Sequence, residues 1–251
     1  MPSPDDDLLP EAVALVEGAM AAGLKLRLLG GLGVRVLCPD FPPRPHRDID
    51  LACAGKGRRD VAAFLEKRGC QPDKAFNALN GDRQMYFIAP SGQPVDVMVD
   101  RLTMCHTLDM RPSLGNSSLT LDPADLLLSK LQIFELNAKD ARDITHLLSG
   151  VPAGDRGGDG GAPFIDTRRF GEIVAADWGW WRTTTGNLEK LPKLLADSTE
   201  MIPPQARYDP IAQAALLLDV AMSVPKSMKW KLRANVGDRV RWYELPEEVA
   251  H

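Results

Sequence analysis

Apolar positions along this chain follow two periods. Short runs at 25–29 (KLRLL), 48–54 (DIDLACA), 83–89 (RQMYFIA) and 94–102 (PVDVMVDRL) have the length and alternation of strands. In the last run Val95, Val97 and Val99 share one side, which leaves Asp96, Met98 and Asp100 on the other. PSGQ between the third and fourth runs predicts a hairpin, and SSLTL (117–121) predicts one more strand. Helical spacing appears at 9–24, closing at Gly23, and at 56–69, closing at Gly69. Gly30 and Gly31 mark a tight turn from strand into a short helix, which Pro39, Pro42 and Pro43 stop. Asp122 and Pro123 suit the cap and first position of a helix over 123–136, and 138–150 predicts another.

Beyond residue 150 the strand pattern stops. The segment 150–163 (GVPAGDRGGDGGAP) predicts a linker, and 166–181, 187–198 and 210–224 predict helices. The expected organisation is a catalytic domain over 1–149, the linker over 150–163 and a helical region over 164–251. The fold class is α+β: a mixed sheet flanked by helices, followed by a helical part.

Composition narrows the class. Of 251 residues 44% are hydrophobic and 25% charged, with a formal net charge of -4, which argues against a non-specific nucleic-acid coat. No apolar run nears the roughly 18 residues that span a bilayer. The acidic N-terminus carries no signal pattern. Cys38, Cys53, Cys70 and Cys105 stand far apart, which reads as free thiols rather than a zinc site. The expected location is cytoplasmic, without a membrane partner.

The chemistry concentrates at HRDIDLACAG, residues 46–55. On a strand Asp48 and Asp50 project to one face, where two ionised carboxylates about 5 Å apart repel by roughly 3 kcal/mol at an effective dielectric near 20. If the 94–102 strand lies beside the 48–54 strand, Asp96 joins them. Three carboxylates suit a hard divalent cation. The Gly30-Gly31 turn upstream offers bare N–H groups to a phosphate.

Gly-Gly at a strand-to-helix turn, Asp-x-Asp opening the next strand and a lone Asp on a later strand resemble the nucleotidyltransferase superfamily. LDPADLLLSKLQIFELNAKDARDITHLL, with a lysine on one helix and Lys-Asp-x-x-Asp opening the next, is similar to AbiEii-type toxins and small bacterial nucleotidyltransferase-like proteins. The resemblance spans about residues 25–150. It implies transfer of a nucleoside monophosphate from an NTP to a hydroxyl acceptor, RNA or a small molecule, with a protein antitoxin as a partner in the toxin case. It implies Mg²⁺ (or Mn²⁺) at Asp48, Asp50 and Asp96, with Asp96 also available to activate the attacking hydroxyl. Gly30, Gly31, Arg47, Lys130 and Asp140 would serve the nucleotide, Lys130 counting among the catalytic groups. Asp140 and Asp143, a helical turn apart, would position Lys130 or the acceptor. Leu32 stands where the family often has Ser or Thr after the glycines. The alternative reading is a catalytically inactive relative that binds nucleotide or a partner.

One basic stretch departs from the acidic whole. Lys226, Lys229, Lys231, Arg233, Arg239 and Arg241, interleaved with Trp230 and Trp242, would track an RNA backbone, or form a solvated helix face with its tryptophans inward.

Overall fold

The computed structural model describes residues 7–155 and 161–245. They gather into two compact units. One takes in the chain to Val36, Pro42–Leu102 and Asp109–Leu121; the other takes in Leu37–Phe41, Thr103–Leu108 and the chain from Asp122 onward.

The first unit runs α1 (Leu9–Ala21), β1 (Leu26–Leu28), α2 (Gly30–Leu37), β2 (Ile49–Cys53), α3 (Arg58–Lys67), β3 (Gln71–Pro72), α4 (Lys74–Asn80), β4 (Gln84–Ile88) and β5 (Pro94–Val99). Its sheet has the order β1-β2-β5-β4-β3. The β2–β5 pair is parallel, and β1–β2, β4–β5 and β3–β4 are antiparallel. The expected neighbour relation of the 48–54 and 94–102 runs is therefore present, as is the hairpin. Ala12, Leu15, Val16 and Ala19 form the buried stripe of α1, and Val61 and Leu65 that of α3. These pack with Leu26, Leu28, Ile49, Leu51, Val95 and Val97 into one core. Strand alternation then leaves Asp50, Asp96 and Met98 half-buried.

Two features of this unit differ from the sequence expectation. The 117–121 run is not a strand but a single parallel bridge, Thr120 to Leu28, held by Leu28 N–H to Leu119 O at 2.8 Å and Leu121 N–H to Leu28 O at 3.0 Å. A short edge strand and helix, β3 and α4, stand where no element was expected. Asp73 begins α4 by accepting from Phe76 N–H at 2.9 Å, and Pro72 is tolerated because β3 is an edge.

After β5 the chain forms the small ladder β6 (Arg101–Thr103) and β7 (Thr107–Asp109). The second unit is helical: α5 (Pro123–Leu131), α6 (Ala138–Gly150), α7 (Thr167–Ala176), α8 (Trp178–Asp197), α9 (Pro210–Ser223) and α10 (Met228–Val236), with the two-residue strands β8 (Ala153–Gly154) and β9 (Ile165–Asp166) pairing in parallel. Helix α5 is its centre, in contact with α6, α7 and α8. All of α5 except Lys130 is buried. That burial is why the compact unit begins at Asp122, earlier than the glycine-rich segment where composition places a boundary. Of that segment, residues 156–160 lie outside the described residues. The first two predicted C-terminal helices are also divided differently: α7 stops at Ala176, and Asp177 caps a continuous α8 by accepting from Trp180 N–H at 3.0 Å.

Among the described residues no helix is long and apolar enough to cross a membrane.

Candidate functional site

The sheet unit brings Asp50 and Asp96 together. They are register partners on the parallel pair β2–β5, so they project to the same face of neighbouring strands. On the far side of β5, Tyr86 is the register partner of Asp96, and Gln84 Nε2 donates to Asp96 Oδ1 at 2.6 Å. Burial and the Asp96 charge push the Tyr86 phenol above its ordinary pKa. Asp48 stands one residue before β2 and is exposed, as is Arg47.

Gly30 opens α2 at φ +61°, a conformation that L side chains rarely adopt. A β-carbon there would collide with the Asp50 carboxylate. The glycine is thus required twice, by its backbone and by the acid lying against it. Gly31, also buried, would with a β-carbon strike the Arg44 guanidinium and come within 2.6 Å of His46 Cε1. Arg44 was missing from the residues expected on sequence. Its signal was the proline bracket around it, Pro42, Pro43 and Pro45, which stiffens the loop that lays Arg44 and His46 over the start of α2. The result is two acidic side chains on one sheet face and two basic ones over the helix N-terminus, within one unit.

The donors are carboxylate oxygens, the type a hard cation prefers. Among the described residues no three His, Cys, Asp or Glu side chains stand close enough to hold a metal ion.

Lys130 and Asp140 belong to the helical unit and form a cluster of their own there. Lys130 Nζ lies 3.0 Å from Asp140 Oδ1 and 3.1 Å from Asp143 Oδ2, all three side chains largely buried. Asn137 caps α6, accepting from Asp140 N–H at 2.9 Å and donating to Asp140 Oδ2 at 2.7 Å. The one-turn spacing of Asp140 and Asp143 thus places both acids on one ammonium.

Two of the six basic side chains of the C-terminal stretch, Lys226 and Arg233, are committed to backbone carbonyls. Lys226 Nζ donates to Ala221 O and Val224 O at 2.6 Å each, closing the end of α9. Arg233 donates to Gly237 O and Val240 O. Trp230 meets Trp181 edge-on, and Trp242 packs against Trp178, Phe134 and Tyr243. Trp230 and Trp242 are both half-buried.

Comparison with known proteins agrees with the sheet unit. Residues 13–86 match the family model described as aminoglycoside-2''-adenylyltransferase, a span that holds α1 to β4 and with them Gly30, Gly31, Asp48 and Asp50. The match lies over the part of the chain whose motifs resemble nucleotidyltransferases and ends before Asp96. Among solved structures, the lincosamide antibiotic adenylyltransferase LnuA with lincomycin bound is 19% identical, over 56% of this chain and 96% of that one, at a TM-score of 0.41. The structure of ANT(2")-Ia in complex with adenylyl-2"-tobramycin is 14% identical, over 49% and 74%, at 0.35. An antigenic nucleotidyltransferase-like protein from Paracoccidioides brasiliensis is 15% identical, over 83% and 97%, at 0.43. No curated protein matches the chain.

Proposed function

We propose that the protein is a transferase that moves a nucleoside monophosphate from an NTP to a hydroxyl of a small molecule. The observation that carries this reading is the closure of Gly30 against Asp50, with Asp96 in register beside it. A strand-to-helix turn kept bare of side chains, next to two like-charged carboxylates, suits a polyphosphate that arrives with its own countercharge.

In this reading the first N–H groups of α2 and the Arg44 and His46 side chains hold phosphate oxygens, and Arg47 stands on the exposed approach. Asp96, oriented by Gln84, accepts the proton of the attacking hydroxyl as that oxygen bonds to the α-phosphorus and pyrophosphate leaves. Mg²⁺ or Mn²⁺ is the group this donor set suits. Asp50 and Asp96, the pair in register, would hold it together with phosphate oxygens of the substrate, Asp48 standing apart on the exposed approach, and it would neutralise charge on the triphosphate. Lys130 and Asp140 are paired with each other in the helical unit, and this reading of the sheet unit does not draw on them. A small-molecule acceptor is preferred to RNA because the tryptophans of the basic stretch are engaged with other rings of the helical unit, Trp230 with Trp181 and Trp242 with Trp178.

The test is incubation of the protein with each α-labelled NTP and Mg²⁺, offering aminoglycosides, lincosamides and total RNA as acceptors. Label on a small molecule with release of pyrophosphate supports the reading. Label on RNA alone moves the acceptor to the macromolecular class. NTP binding with no transfer to any acceptor replaces the reading with that of an inactive relative.

A further inference from the structure

A cavity of about 330 Å³ opens in the helical unit, between α8 and the segment that follows α10. Its walls are the rings of Phe134 and Trp242, which meet edge-on at 5.5 Å. The wall is fixed from behind. Tyr243 stacks on Phe134 at 3.9 Å, and Trp242 Nε1 donates to Thr183 Oγ1 at 3.1 Å. That hydroxyl also bonds His106 Nε2 at 2.8 Å.

The floor carries two features, an asparagine whose amide nitrogen caps the end of α5 and a glycine inside α8. Asn187 is 2% exposed, and its Nδ2 donates to Leu131 O at 3.0 Å and to Ile133 O at 2.7 Å. Both amide hydrogens are spent, so what Asn187 offers the cavity is its Oδ1, an acceptor with no hydrogen-bond partner among the described residues. Solvent reaches that oxygen through the cavity, and the donor of a bound molecule can take the water's place. One residue earlier Gly186 sits inside α8, where glycine weakens a helix. Its backbone is not left-handed, and a β-carbon there would meet only the tip of Arg182 at 3.3 Å. Packing does not ask for glycine; the open floor does.

The mouth has no net charge. Arg182 is matched by Asp238, with contacts of 3.1 and 3.0 Å, and Glu189 stands next to Lys190. The volume lies at the lower end of small-molecule sites.

We infer that this cavity is a binding site for a small, planar, uncharged heteroaromatic molecule whose ring N–H donates to Asn187 Oδ1 while the molecule lies against the wall that the Phe134 and Trp242 rings form together. Aromatic walls favour a flat ring, the lone acceptor selects a donor, and the balanced mouth disfavours ions.

The experiment uses the full chain without NTP, so that its outcome is independent of the transferase reading. Indole and benzofuran have the same shape, and only indole carries an N–H donor. In titrations followed by ligand-observed NMR, indole binds saturably and benzofuran about tenfold more weakly, the worth of one hydrogen bond. Gly186→Leu, which fills the floor, lowers indole affinity at least about tenfold with an unchanged circular-dichroism spectrum. Gly186→Gln, a better helix former that fills the same space, gives the same loss if the leucine variant folds poorly. Equal binding of the two probes, undiminished binding by both variants, or no indole binding by the parent up to its solubility limit would each overturn the inference.

Discussion

Asp50 and Asp96 lie side by side in register on two parallel strands, and each is fixed by a different neighbour, Gly30 against the first and Gln84 bonded to the second. Register partners stand about 5 Å apart, where two ionised carboxylates repel by about 3 kcal/mol at an effective dielectric near 20. Asp50→Asn and Asp96→Asn should each lower transfer at least about 100-fold. Each should leave the melting temperature equal to the parent's or higher. A large fall in melting temperature with activity retained would assign the pair to structure.

The two glycines of the turn should separate in their effects. Gly30→Ala meets both a left-handed backbone and the Asp50 carboxylate, and should cost about 1–2 kcal/mol of stability. Gly31→Ala meets the far ends of two flexible side chains, Arg44 and His46. It should shift the urea midpoint little while weakening NTP binding, measured by equilibrium dialysis. Equal stability losses in the two variants would contradict this division.

Removing Lys130 leaves Asp140 and Asp143 facing each other with little access to water. Lys130→Met should therefore destabilise by about 3 kcal/mol, as expected when one partner of a buried pair is lost. Adding Asp143→Leu should recover part of that loss. Chemical denaturation of the single and double variants reads the coupling directly.

Stability should fall on acidification through one identifiable group. Burial holds the His106 imidazole at about 4, below its ordinary 6.5. Between those values the unfolded chain binds a proton that the folded chain excludes, so stability rises with pH there. The His106 share is complete above pH 6.5 and declines toward pH 4, by up to about 3 kcal/mol. His106→Gln should flatten this part of the pH dependence of the urea midpoint.

The cysteines offer a simple check on the core. Cys38, Cys53, Cys70 and Cys105 are free and buried. Burial pushes the Cys38 and Cys53 thiols up to about 12 and Cys70 to about 11. A disulfide reagent at pH 8 should find none of these four groups in the native protein and all of them in guanidinium. Rapid reaction in the native state would show local opening.

Much of the sheet unit was legible because its cues are local. Val95, Val97 and Val99 orient β5 unaided, and Gly30-Gly31 announces the turn. The partnership of Asp50 with Asp96 followed once β5 was set beside β2. Arg44 was not legible, because its place over Gly31 depends on the path of a proline-stiffened loop rather than on any periodicity. The start of the helical unit was hidden for a different reason. The apolar run of α5 is equally consistent with covering a sheet or filling a bundle, and only its contacts with α7 and α8 decide. Asp177 was passed over because the apolar pattern runs on from Ile173 and Val174 into Trp178, Trp180 and Trp181, whereas in the folded chain one capping carboxylate outweighs that continuity.

The bridge between Leu28 and Thr120 has a consequence for synthesis. Strand β1 is among the first elements to leave the ribosome, yet Leu28 finds the partners on its outer side, Leu119 and Leu121, only after the other four strands of its sheet have been made. Arg27, 5% exposed, ties the same late segment down through Asn116. The nascent chain therefore carries an incomplete sheet margin until residue 121 emerges. Closure at such sequence separation is slow compared with local helix formation. A fragment ending at Leu102 would keep that margin open and be prone to pair with other chains there, whereas one ending at Leu121 would carry its own seal.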